Sequence, residues 1–159
     1  ERSLKRLNTD FIDMVLVHSD GNDLDVINHT AALSELAQMK QEGLIRAFGM
    51  STKTVAGGLK AAQLSDCVMV TYNLNEQAEQ EGLDYCAANN KGALIKKALA
   101  SGHITQTPDE TDPVQASMDF LFAHAGVSSA IIGTINPKHL QDNIEKAIRS
   151  LQQHGNIQP

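Results

Sequence analysis

Five short apolar runs, each cut off by polar or turn-forming residues, set the rhythm of the chain. The first is Phe11-Ile-Asp-Met-Val-Leu-Val-His18, which stops at Ser19-Asp20-Gly21-Asn22-Asp23. The others occupy 44–52, 67–73, 92–98 and 127–133. Runs of this length, rich in Val, Ile and Leu and bounded by turn formers, predict strands buried on both faces. Between them, apolar residues recur at helical spacing. Ile27, Ala31, Leu33, Leu36 and Met39 predict one helix over 24–43, closed by Gly43 as a C-cap. Further helices are expected over 53–64, 76–89 and 113–125, the last begun by Pro113. The final helix, 137–153, has Asn136 as its N-cap and Pro137 in its first position. A short amphipathic helix carrying Leu4 and Leu7 precedes the first strand, and Met14, Met39, Met50 and Met118 read as core.

Strands alternating with helices every 25 to 30 residues or so call for repeated βα units and a parallel sheet. No long polar linker interrupts them, so residues 1–159 read as one domain. An open doubly wound sheet and part of a (β/α)8 barrel both fit this order, and periodicity does not choose between them.

Composition narrows the function by exclusion. A net charge of −6 argues against a nucleic-acid surface, which needs clustered positive charge. No apolar run approaches the roughly 20 residues of a membrane span. The two cysteines, Cys67 and Cys86, form no CxxC pair, and the six histidines show no ligand spacing, so neither a disulfide framework nor a metal site is expected. The chain opens without an initiator methionine, inside a helix, and we expect it to be a fragment of a longer protein. A histidine at the end of a buried strand, His18, sits where α/β folds place reacting groups.

Four stretches, in order, resemble segments of the aldo-keto reductases. Leu4 to His18 resembles the approach to the fourth barrel strand, and Glu42-Gly-Leu-Ile-Arg-Ala-Phe-Gly-Met-Ser51 the fifth. Ala93-Leu-Ile-Lys-Lys-Ala-Leu-Ala-Ser-Gly102 is similar to the seventh strand and its loop. The segment from Ala130 to Asn143 is similar to the eighth strand and the helix after it. The resemblance implies an α/β fold, a (β/α)8 barrel here incomplete at about five βα units, since a whole barrel needs roughly 250 residues. It also implies reduction of aldehydes or ketones by hydride from NADPH, with NADH a second option, on a tetrad of Asp, Tyr, Lys and His. The first three come from strands this chain does not hold; Tyr72 and Tyr85 lie in the wrong segments. Further expectations are a cytoplasmic setting, a small carbonyl substrate, and a homodimer or companion chain closing the barrel. The alternative is a non-catalytic NADPH-binding barrel such as the potassium-channel β-subunits.

By the same resemblance, His18 is the tetrad histidine that orients or polarises the substrate carbonyl. Ser51 and Thr52 stand where Ser-Asn binds the nicotinamide carboxamide, with helix capping as the competing role. Tyr72 is placed to stack on the nicotinamide, against an alternative of packing on the helices; Met69 replaces a glutamine. Leu99, Ser101 and Gly102 match the loop over the pyrophosphate. Gly133, Thr134, His139, Asp142 and Asn143 match the adenosine-phosphate segment, but Gly133 and His139 replace the usual Lys and Arg, which weakens the preference for NADPH. Lys96 and Lys97 read as solvated strand-end residues, and Asp10 and Asp13 as a solvent pair.

Overall fold

Residues 2–100 and 112–154 are described by the computed structural model. Five strands form one parallel sheet in sequence order: β1 (Ile12–His18), β2 (Ile45–Ser51), β3 (Cys67–Thr71), β4 (Gly92–Lys96) and β5 (Ser129–Ala130). Among the described residues seven helices connect or flank them: α1 (Arg2–Leu7), α2 (Asp23–His29), α3 (Ala32–Gln41), α4 (Val55–Leu64), α5 (Gln80–Ala88), α6 (Pro113–Phe122) and α7 (Pro137–Gln153). Parallel order without reversal excludes the doubly wound alternative, whose sheet changes direction at a switch point. What remains is an arc of a barrel.

The register shows how the sheet's two faces differ. His18 pairs with Ser51, Ser51 with Met69, and Met69 with Leu94, so these four lie in one row on one face. Val17, Met50, Val68 and Ala93 form the adjacent row on the other. That second face carries the core, where Met50, Val68, Val70, Ala93 and Ile95 pack with Ala61, Leu83 and Leu121 from the helices. Among the described residues the first face has no such cover, and Met14 and His18 are exposed on it.

Several expectations need correction. β1 is an edge strand, so it is half-exposed rather than buried on both faces. The predicted helix over 24–43 is two helices, because Thr30 is extended and its hydroxyl takes the Val26 carbonyl at 2.6 Å. Gly43 does close α3, at φ 77°, with its N–H on the Lys40 carbonyl and that of Leu44 on Met39. α5 starts at Gln80 instead of 76, since Asn73 folds the preceding residues into a turn by accepting from the N–H groups of Asn75 and Glu76. β5 keeps only two of its seven expected residues. Met50 and Met118 are core, but Met14 and Met39 are exposed, on the uncovered sheet face and on α3. No described helix is long and apolar enough to cross a membrane.

Candidate functional site

The C-terminal ends of the strands bring the candidate residues together. His18 closes β1 and is exposed, on the same face and at the same level as Ser51. Behind it the chain turns inward: the Ser19 N–H donates to the Ser51 carbonyl at 3.1 Å, and the Ser19 hydroxyl accepts from Gly21. The turn delivers Asp23, at the start of α2, into the interior. Its carboxylate accepts from the N–H of Lys53 (2.9 Å), the N–H of Thr54 (2.7 Å) and the Thr54 hydroxyl (2.6 Å). Burial alone would raise the Asp23 pKa, but these donors and Ser19 hold it below its ordinary value. Asp23 thereby fixes the turn between β2 and α4.

Ser51 ends β2 and Thr52 follows it, 3% and 1% exposed. Capping is not their role. The N-cap of α4 is Thr54, whose hydroxyl accepts from Gly57, whereas the Thr52 hydroxyl is buried without a partner. Lys96, at the end of β4, reaches this corner. Its ammonium reaches over the Thr71 position of β3 to donate to the Thr52 carbonyl, and it lies 3.5 Å from the Ser51 hydroxyl. Lys96 is therefore an inward-facing cation, which corrects the expectation of a solvated lysine; its neighbour Lys97 is exposed. Burial lowers the Lys96 pKa, with Asp23 and Glu79 opposing.

Lys96, Thr52, Thr71 and Glu79 line a cavity of about 450 Å³. Glu79 is 7% exposed, and its Oε2 has no hydrogen-bond partner among the described residues. Burial, then the nearby charge of Asp23, push its pKa up to about 7, against a smaller pull from Lys96. Gly58 makes room for this carboxyl: a Cβ there would lie 2.5 Å from Oε2.

A second cavity, of about 650 Å³, gathers Leu99 with Gly133, Thr134, His139, Asp142 and Asn143. These six residues come from two stretches widely separated in sequence, and all six were singled out above. The space beside Gly133 is open, since a Cβ there would meet nothing within 4 Å. Asp142 is held by Lys146 at 2.7 Å, and the same ammonium grips Asp112, the N-cap of α6, at 3.0 Å. Lys146 thus ties the start of α6 to the wall of the cavity. Ser101 and Gly102 lie outside the described residues.

Tyr72 is the candidate that the structure removes. It is 3% exposed, stacks on Phe120 with ring centroids 5.0 Å apart, and meets His124 edge-on. Residue 71 is the last of β3, so Tyr72 falls on the helix side and not on the face of Ser51. Cys67 offers no nucleophile either, because burial pushes its thiol up to about 11.

The Aldo/keto reductase family model matches residues 1–119. This chain belongs to that family. A solved structure assigned to the aldo-keto reductases, from Pseudomonas aeruginosa, is 53% identical with a TM-score of 0.84, over 94% of this chain and 55% of that one. D-threo-aldose 1-dehydrogenase of a Pseudomonas species is 32% identical over 117 residues, 69% of this chain and 35% of the relative. Pyridoxine 4-dehydrogenase of Escherichia coli is 25% identical over 157 residues, 89% of this chain and 54% of the relative. The holo form of an aldo-keto reductase from Bacillus halodurans, 19% identical with a TM-score of 0.76, matches in fold, covering 96% of this chain and 64% of that one. The chain spans about half the length of the relatives it matches. An arc of five strands fits that proportion. Gly133 to Asn143 lie beyond the family match, so their assignment rests on the local resemblance and on the cavity they line.

Proposed function

We propose that the chain forms the cofactor-binding arc of an NAD(P)H-dependent oxidoreductase that reduces a small aldehyde or ketone. The observation that carries this is the 650 Å³ cavity at the strand ends, which collects six residues of the expected nucleotide site. Small or short side chains at Ala98, Gly133 and Thr134 leave its wall approachable, and Asn143 offers an amide. When bound, the cofactor supplies the hydride. The chain's own residues orient it: Leu99 and Thr134 line its path, and Asn143 faces its adenosine end. His18 donates a hydrogen bond to the substrate carbonyl oxygen from the free edge of β1. Neither Gly133 nor His139 carries the permanent charge that would enforce a 2′-phosphate, so NADPH is favoured over NADH only weakly.

The proton donor belongs to the first strands of the barrel, outside this chain. The unpaired edges of β1 and β5 are where those strands, or a companion chain, would join. The two free thiols, Cys67 and Cys86, suit a reducing cytoplasm.

The test is titration of the full-length protein with NADPH by fluorescence, followed by turnover of a panel of small aldehydes. Saturable binding below a millimolar is expected. His18→Gln should cut turnover about 100-fold and leave cofactor binding intact. Absence of saturable binding overturns the reading. Binding without turnover of any carbonyl favours the alternative, a non-catalytic binding barrel.

A further inference from the structure

The inward turn of Lys96 has a consequence for the ligand. We propose that Lys96 sets which oxidation state of the nicotinamide cofactor the site prefers, by fixing an ammonium at the Ser51–Thr52 corner that repels the cationic oxidised ring and tolerates the neutral reduced one. The inference rests on the reading that the carboxamide end of the cofactor sits at Ser51 and Thr52.

The geometry supports it in three ways. First, the ammonium is anchored. It donates to the Thr52 carbonyl and lies 3.5 Å from the Ser51 hydroxyl, so it is held at the corner and does not sweep through solvent. Second, it stands beside the Ser51 hydroxyl on a residue only 3% exposed, so a ring drawn to Ser51 comes next to the ammonium. Third, its charge is not cancelled by direct contact: no ion pair among the described residues includes Lys96. The nearest acids have other commitments. Asp23, from α2, is hydrogen-bonded to Lys53 and Thr54 and attracts Lys96 only across space. Glu79, at the start of α5, is buried beside Gly58 and shifted toward its neutral form near pH 7. Lys53 and Lys97, on the same cavity wall, add positive potential.

A reduced nicotinamide ring is uncharged and an oxidised one carries a single positive charge. A fixed cation in a partly desolvated corner therefore discriminates between them, and by about tenfold at the screening usual near protein surfaces. Such a bias favours uptake of reduced cofactor and release of oxidised cofactor, as carbonyl reduction requires.

The experiment measures dissociation constants for NADPH and NADP⁺ separately, by calorimetry on the full-length protein. In the wild type the reduced form should bind more tightly. In Lys96→Met the ratio of the two constants should fall about tenfold; Lys96→Arg should keep it. Lys96→Gln, which retains a donor for the Thr52 carbonyl, should lose the ratio as fully as the Met variant, and it serves if the Met variant does not fold. A purely structural lysine would weaken both forms equally and leave the ratio unchanged, which would overturn the proposal. Failure of the wild type to bind either form overturns the cofactor reading itself, and this inference with it.

Discussion

Glu79 is a buried carboxyl in conflict with its surroundings. Its Oε2 lacks a partner and its pKa stands near 7 against an ordinary 4.5, so the folded protein holds a proton there that the unfolded chain has released. Between those two values the folded state binds more protons, and stability falls as pH rises. Above about pH 7 the full cost of a buried charge is present. Glu79→Gln removes the titration. We expect the variant to match the wild type near pH 4 and to exceed it by about 3 kcal/mol at pH 8, read from denaturant melts at both pH values; parallel curves at the two pH values would refute this. Asp23 behaves in the opposite way. Its donors depress its pKa, so its contribution is present at neutral pH and is lost as pH falls below the ordinary carboxylate range. Neither role was legible in the sequence. Asp23 reads there as one more polar loop residue, and Glu79 as one position of the helix expected over 76–89. His18 and Ser51 were legible, because an abrupt change from apolar to polar marks the C-terminal end of a strand. Lys96 was missed although the period of two held the clue: Ile95 is core, which turns residue 96 toward the Ser51 face.

At the scale of the elements, β2 and β3 meet at one very close approach. Gly49 pairs with Cys67, and a Cβ on Gly49 would lie 2.0 Å from the Cys67 carbonyl oxygen. No side chain fits that gap, and the obstacle is backbone, so it does not yield. Gly49→Ala should cost about 3 kcal/mol or more and lower cofactor affinity with it, because Ser51 follows two residues later. A melting temperature within a degree or two of wild type would show that the strands separate easily. The elements were easier to read from the sequence than their limits. Each apolar run became a strand, but β5 shrank to two residues, because only Ser129 and Ala130 pair with β4. The α2–α3 break left a trace: Leu33 follows Ala31 by only two residues, about 200° round a helix, and Leu36 and Met39 keep the phase of Leu33 rather than that of Ile27 and Ala31. What breaks the helix is a single hydroxyl, that of Thr30, competing for the Val26 carbonyl. Tyr72 was misplaced by one step of the same alternation that places Lys96.

The whole molecule is an arc with unfinished surfaces. Leu140, Ile144 and Ile148 form a stripe along α7 at helical spacing and are 47%, 50% and 43% exposed, and the uncovered sheet face exposes Met14. Apolar stripes of this kind mark contact surfaces. We expect the 159-residue chain, expressed alone, to self-associate, and Ile144→Glu to reduce that association without loss of helicity. A monodisperse monomer in light scattering, for the unaltered chain, would contradict this. The order of the sheet carries one more consequence. Each strand's partner is the next strand in the sequence, and the longest step runs from Leu94 to Ser129. A ribosome delivering this chain would therefore lay the sheet down sideways, strand by strand, each new one arriving at an edge already waiting. No strand is released early to search for a distant partner. For a sheet whose strands pair in sequence order, synthesis and assembly run in the same direction.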